Sequence, residues 1–303
     1  MDALRGIIVP FATPFDDNEE VDTAKAKRLI DSLIAAGVHG LIVLGDTGEF
    51  FALTPEERTR FVEFAIKHIK GRAQVVVQPS AITTRETIMH ARHAQQCGAD
   101  ALMVLPPYYR SSPEAEVYAH YEAVAKAVDL PIIAYCLPGI CAEVMTPAFL
   151  ARLAQIDNIR YVKDSTGILP RIRQIRAICG DKLRVFVGGD TIAYDGLVAG
   201  AIGSIWGAAN FMPRQAVRLF DLVREKEELL RARELWDKMF PICDFLEQHG
   251  YAASVKAGLA LTGLDVGPPR RPALPLTPGE RSKLAGLMKP VGLTIAKQTE
   301  KAA

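Results

Sequence analysis

Eight short apolar runs recur along the chain at intervals of about 25 to 35 residues, the length of one strand-plus-helix unit. They read Ile7-Ile8-Val9, Leu41-Ile42-Val43-Leu44, Val75-Val76-Val77, Ala101-Leu102-Met103-Val104-Leu105, Ile132-Ile133-Ala134-Tyr135, Tyr161-Val162-Lys163, Val185-Phe186-Val187 and Ser204-Ile205-Trp206. Runs this short, without clean polar alternation, suit parallel strands buried on both faces. Between them lie helical patterns with legible starts. Thr54-Pro55-Glu56-Glu57, Thr83 with Glu86, and Thr277-Pro278-Gly279-Glu280 carry capping-box spacing, and Ser112-Pro113 and Thr146-Pro147 offer a cap followed by proline. Leu29, Ile30, Leu33 and Ile34 form an apolar stripe on the first helix, leaving Lys25, Lys27 and Asp31 for solvent. Eight strands in strict alternation with helices predict an α/β fold, a (β/α)8 TIM barrel, over a doubly wound open sheet.

The barrel is expected to occupy residues 1–212. A long helical stretch over 213–245, a Pro-rich break at Gly267-Pro268-Pro269-Arg270-Arg271-Pro272 and a final helix near 277–288 read as a C-terminal helical extension, 213–303, of the same structural unit. The polar residues after Gly292 are expected to fray. With 36 Lys+Arg against 35 Asp+Glu the chain has no surplus charge to track a phosphate backbone, so nucleic acid is a poor partner and a small molecule a better one. Five cysteines without C-x-x-C spacing suggest reduced thiols, not a disulfide framework or a zinc ribbon. No apolar run is long enough for a membrane span and no signal peptide is visible, so a soluble, cytoplasmic protein is expected.

Barrel enzymes work at the C-terminal ends of their strands, so the residues after each apolar run are the place to look. The second strand is followed by Gly45-Asp46-Thr47-Gly48-Glu49, the fourth by Pro106-Pro107-Tyr108-Tyr109, the sixth by Asp164-Ser165-Thr166-Gly167 and the seventh by Gly188-Gly189-Asp190; the fifth ends in Tyr135. Lys163, at the end of a buried strand, must desolvate or find a partner, and desolvation lowers a lysine pKa from about 10.4. A lysine deprotonated near neutral pH attacks carbonyl carbon. From position alone, the plainer alternatives of a lysine that snorkels outward, or pairs with Asp164 or Asp190, carry more weight. The glycine-rich turn at 45–49 can cradle a carboxylate with its backbone N–H groups and a hydroxyl, although loop glycines are ordinary. Tyr135, Tyr108 and Tyr109 can equally be a core tyrosine and two rim aromatics.

Together these residues resemble the N-acetylneuraminate lyase / dihydrodipicolinate synthase family of class I aldolases. The resemblance runs in order through Val9-Pro10-Phe11-Ala12-Thr13-Pro14-Phe15, the Gly-x-Thr-Gly-Glu turn, Pro107-Tyr108-Tyr109, Tyr135-x-x-Pro138, Lys163-Asp164-Ser165, Gly189-Asp190 and Gly200-Ala201-Ile202-Gly203 to Asn210, and it reverses the weighting on Lys163. It implies a homotetramer, a dimer of dimers, of barrels with a helical appendage. It further implies Lys163 as Schiff-base nucleophile for pyruvate or another 2-oxo acid and Tyr135 as proton shuttle. Thr47, with the turn's backbone including Gly48, would hold the substrate carboxylate; Tyr109 would reach a neighbouring subunit's site, and Gly189 and Ile205 would line the site. A protonated Schiff base stabilises carbanion character at the adjacent carbon without a metal, and that effect serves aldol cleavage, condensation and dehydration alike. No cofactor is implied.

Three positions depart from the family pattern. Asp46 stands where a hydroxyl residue or glycine is usual, and a carboxylate near the tyrosine can itself move protons. Ile140 stands where the lysine-biosynthesis synthase has an arginine that grips a second carboxylate, which disfavours that synthase as the activity. Cys136 replaces an asparagine. Ile140, Cys141 and Trp206 are expected to make the distal pocket less polar than in relatives that bind dicarboxylates. Segments 48–53 and 250–258 look like the sugar-acid dehydratase branch, whose substrates are deoxy-oxo-glucarates, apart from Asp46. The expected activity is that of a Schiff-base lyase on pyruvate or a related 2-oxo acid, by aldol cleavage or condensation or by dehydration of a deoxy-oxo sugar acid. Three other classes compete: the dihydrodipicolinate synthase, a metal-dependent barrel lyase and a non-catalytic 2-oxo acid binder. The metal reading needs histidines at strand ends, and none of the six falls there; His90 and His93 sit on the third outer helix, where solvated side chains are expected. A nicotinamide site would need a G-x-G-x-x-G after the first strand, which is missing.

Overall fold

The computed structural model describes residues 4–141 and 143–296. Its eight strands close into one parallel barrel in sequence order, each followed by at least one helix. The first half runs β1 (Gly6–Pro10), α1 (Thr23–Ala35), β2 (Gly40–Val43), α2 (Pro55–Ile69), β3 (Gln74–Val77), α3 (Thr84–Cys97), β4 (Ala101–Val104) and α4 (Glu114–Lys126). The second half runs β5 (Ile132–Cys136), α5 (Pro147–Leu153), β6 (Ile159–Asp164), α6 (Leu169–Cys179), β7 (Arg184–Val187), α7 (Ala193–Val198) and β8 (Gly203–Ile205). All eight apolar runs therefore become barrel strands, with ends displaced by one or two residues. Closure brings β8 against β1 so tightly that a Cβ on Gly203 would lie 2.1 Å from the Gly6 carbonyl oxygen; only glycine permits that seam.

Helix starts follow local chemistry. Thr54 and Thr277 form complete capping boxes with Glu57 and Glu280, and Thr83 and Thr146 accept from the backbone N–H groups of Glu86 and Phe149. Ser112 does not cap α4. The chain is still extended at Pro113 (ψ 159°), which takes the cap position without a side-chain acceptor, and Glu114 and Glu116 in the first turn complement the helix dipole instead. On α1 the stripe Leu29, Ile30 and Leu33 is buried and Lys27 exposed, while Lys25 turns inward to the Phe15 carbonyl at 3.3 Å. His90 departs from expectation too: it is 6% exposed, and burial drops its pKa to about 4.

The stretch 213–245 is not one helix. It divides into α8 (Pro213–Phe220), a π-helical turn (Asp221–Glu225) and α9 (Leu229–Gln248), with Glu227 at φ 55° between them and Pro241 carried inside α9. Gly250 then starts a further helix, α10 (Tyr251–Leu261), that periodicity did not announce, and α11 (Pro278–Met288) closes the order. Beyond Gly292 the chain does not fray at once: Leu293 and Ile295 pack on the core and Ala296 N–H donates to the Leu261 carbonyl at 2.8 Å. Residues 297–303 lie outside the described residues. The Pro-rich segment is strapped back onto the barrel by Arg270. Its guanidinium holds the Glu57 carboxylate and the Ala52 and Glu19 carbonyls, and its backbone N–H donates to Glu49 Oε2 at 2.9 Å. No helix of the described residues is long and apolar enough to cross a membrane.

Candidate active site

β5 and β6 pair in parallel with Tyr135 opposite Lys163, so the two side chains stand next to each other inside the C-terminal mouth of the barrel. Lys163 is 6% exposed and its Nζ lies 4.1 Å from the centroid of the Tyr135 ring. Burial lowers its pKa to about 8, against the opposing pull of the Asp46 and Asp190 carboxylates. At pH 7 this leaves ~10% of the amine neutral, against ~0.03% for an unperturbed lysine. A neutral fraction of this order is what carbonyl attack by a lysine calls for. Asp164, the neighbour considered as its partner, points the other way, where Arg171 Nε holds it at 2.9 Å. Cys136, beside Asp164 across the β5–β6 pairing, packs against the same arginine at 3.7 Å, so its substitution belongs to the outer layer.

The turn after β2 brings Asp46 over this pair. The Tyr135 hydroxyl donates to Asp46 Oδ2 at 2.6 Å, a short charge-assisted bond. Burial, and next the Asp46 carboxylate, push the Tyr135 pKa well above its ordinary value, so the phenol stays protonated. The turn itself is held by two non-glycine residues in the left-handed region, Leu44 (φ 61°) and Glu49 (φ 53°). Glu49 is fixed there by a buried ion pair with Lys256 of α10 at 2.6 Å. Gly48 lets the turn close: a Cβ there would lie 3.1 Å from the Phe11 carbonyl oxygen, and Thr13 Oγ1 donates to the Gly48 carbonyl at 2.6 Å.

Behind the lysine, Gly188 leaves the space the amine's stem needs, since a Cβ at 188 would meet Lys163 Cε at 2.9 Å and Ser165 Oγ at 2.1 Å. Asp190 is fully enclosed, accepting from the Ala208 N–H (3.1 Å) and the Tyr251 hydroxyl (2.7 Å), while Tyr251 accepts in turn from the Gly207 N–H (2.8 Å). Burial raises the Asp190 pKa to about 7.

These groups line one cavity of about 750 Å³, in the ~300–1,000 Å³ range that suits drug-sized ligands. Asp46, Thr47, Tyr135, Lys163, Gly189 and Ile205, all singled out in the sequence, lie in its wall. Gly48, Ile140 and Tyr109 are not in that wall. Ile140 is half-buried against the core, and Cys141, 3% exposed, likewise stands behind the wall that Trp206 joins. Tyr109 is 83% exposed and borders a separate depression with Thr84, Arg110 and His120. Sequence reasoning missed Ser165 and Tyr251 as parts of the wall. Tyr251 had a signal in the Gly-Tyr start of segment 250–258, but nothing local says that its hydroxyl reaches Asp190 sixty-one residues away. One trio of potential metal donors, Glu63, His93 and Cys97, gathers among the described residues. It lies between α2 and α3 on the outside of the barrel, apart from the cavity wall.

A closed parallel barrel with a buried lysine at the end of its sixth strand, beside a tyrosine, is the arrangement a lysine-nucleophile lyase would need. Residues 3–290 match the Dihydrodipicolinate synthetase family, and the chain belongs to it; the protein is a lyase of that family. It is 35% identical over 290 residues to a 4-hydroxy-tetrahydrodipicolinate synthase of Pelobacter propionicus, covering 96% of this chain and 99% of the relative. It is 34% identical over 290 residues to a DapA-like lyase of Halobacterium salinarum, covering 96% and 95%. Among solved structures, the prophage protein YagE from E. coli K12 in complex with pyruvate superposes with a TM-score of 0.91 at 31% identity, covering 96% of this chain and all of that one. The chloride-inhibited dihydrodipicolinate synthase of Acinetobacter baumannii, also complexed with pyruvate, gives 0.92 at 30% identity, over 96% and 100%.

Proposed function

We propose that the protein is a Schiff-base lyase for pyruvate or a 2-oxo acid built on it, working by aldol cleavage, aldol condensation or dehydration. The observation that carries this reading is the buried Lys163 amine stacked on Tyr135, whose hydroxyl is tied to Asp46. The pyruvate bound in two structural neighbours supports the substrate class. The neutral Lys163 amine adds to the C2 carbonyl of the 2-oxo acid, and loss of water gives the protonated imine. Thr47, 4% exposed in the wall, offers its hydroxyl to the substrate carboxylate. The imine draws electrons from C3, so a proton or an aldehyde can leave that carbon or add to it. Proton transfers run through Tyr135. Because Tyr135 is buried and Asp46 is partly exposed, Asp46 is the group through which the relay exchanges protons with water.

Tyr109, exposed on its own chain, fits a side chain that completes a neighbouring subunit's site, so we infer a cytoplasmic homotetramer as the working form. The synthase names of the relatives favour a second reading, condensation of pyruvate with aspartate semialdehyde. Ile140, in place of a carboxylate-binding arginine, weighs against it.

Borohydride reduction in the presence of pyruvate, followed by peptide mapping, is expected to fix one pyruvate on Lys163. No adduct on folded protein overturns the reading. In the same assay Asp46→Asn should still form the adduct, while turnover falls by about 10²-fold or more, the usual worth of a positioned acid–base group.

A further inference from the structure

The cavity is too large for a three-carbon acid alone, so its remaining wall describes the rest of the substrate. Among the described residues of the chain, Lys163 is the only cationic side chain in the cavity wall, and the imine engages that. The other ionisable groups in the wall are acidic: Asp46, the enclosed Asp190, and Glu247, the last fixed by Thr191 N–H and hydroxyl at 3.1 and 2.8 Å. One substrate carboxylate has Thr47 and the turn; a second would meet acidic groups and neutral surface on this chain, without the forked cation such groups require. The uncharged surface is broad. Leu137, Trp206, Ala252 and Ala273 face the space, and Phe51 and Leu274 stand at its mouth with 64% and 74% of their surface exposed. Ser165 stands in the wall with its hydroxyl directed at Tyr135, and among the described residues the indole Nε1 of Trp206, a residue only 1% exposed, has no hydrogen-bond partner. Both groups are neutral, so neither supplies the charge that a second carboxylate calls for.

We infer that the second half of the substrate, the aldehyde released or added at C3, is uncharged and largely apolar, with an oxygen near the reacting carbon, and that dicarboxylic substrates are rejected. This rests on the Schiff-base reading above. In the condensing direction, C3 of the enamine on Lys163 forms a bond to the aldehyde carbon, and the aldehyde oxygen takes one proton to become a hydroxyl. Water then hydrolyses the imine, returning the amine and releasing a 4-hydroxy-2-oxo acid. Cleavage is the reverse, so no oxidant or further reactant is needed. The inference also sets aside the deoxy-oxo-glucarate substrates suggested by segments 48–53 and 250–258, because those carry a carboxylate at each end.

The test gives the full-length enzyme pyruvate with benzaldehyde, isobutyraldehyde or succinic semialdehyde, and compares kcat/KM for product formation. A borohydride trap with pyruvate alone runs in parallel. The neutral aldehydes should lead by at least about 30-fold, the discrimination one uncompensated charge roughly 8 Å from a carboxylate gives at an effective dielectric near 20. Leu274→Arg, at an exposed position where folding is not at stake, should shift preference toward succinic semialdehyde by 10-fold or more. A pyruvate adduct with equal or better use of the anionic aldehyde, or with no aldehyde used, overturns this inference and leaves the Schiff-base reading standing. Absence of the adduct overturns both.

Discussion

Replacing Lys163 by methionine should make the protein more stable at neutral pH while abolishing adduct formation. Methionine keeps the length and apolar stem and removes only the amine. Burial drops the lysine's pKa from 10.5 to about 8, so the folded state binds its proton less tightly than the unfolded chain does. The unfolded chain therefore holds the extra proton between pH 8 and 10.5, and stability rises with pH across that window. Below pH 8 the full penalty applies: two and a half pKa units correspond to about 3 kcal/mol, falling to about 1 kcal/mol at pH 10. Lys163→Met should recover those amounts, a rise in Tm of roughly 6 °C at pH 7 and of about 2 °C at pH 10. Guanidinium unfolding of both proteins at the two pH values measures the difference directly. A variant that is less stable than the parent at pH 7, or whose advantage is the same at pH 10, refutes the claim that the amine is held in place against its own solvation.

Two further substitutions test the supports of the site. Glu49→Gln leaves the Lys256 ammonium buried without its partner, so unfolding free energy should fall by about 3–5 kcal/mol; Glu49→Gln with Lys256→Met should restore most of it, as read by chemical denaturation. Gly188→Ala drives a methyl group into Lys163 Cε and Ser165 Oγ, so the rate of borohydride trapping with pyruvate should drop at least about 10-fold, as a small displacement of a reacting atom does. Unchanged trapping kinetics would show that the lysine tolerates the move.

The barrel was legible because parallel strands buried on both faces leave an unbroken apolar signature, and eight such runs admit few other closures. Lys163 and Tyr135 stood out as polar residues at the ends of apolar runs, but position alone favoured plainer roles, and it was the family resemblance that turned the reading toward chemistry. Asp46 was visible as a departure, but its bond to Tyr135 depends on how β2 and β5 sit around a closed ring, which no sequence window contains. The extension was the least legible part. Its break after Glu225 and the start of α10 at Gly250 are set by packing on the barrel, and the interior Pro241 reads locally as an end. Ser112 misled because serine before proline is a good cap only if the helix starts at that proline.

The hydroxyl of Tyr251 has a consequence for anyone who edits this protein. It joins Asp190, whose charge acts on Lys163, to the backbone of Gly207 at the end of β8. The acidity of the Lys163 amine is thus written partly in a helix eighty-eight residues downstream, and the same helix carries Lys256, which pins the turn that presents Asp46. A chimera that keeps the eight strands and grafts a tail from a relative would exchange the tuning along with the tail. Its lysine would answer to a different pH, even with every residue inside the ring of strands unchanged.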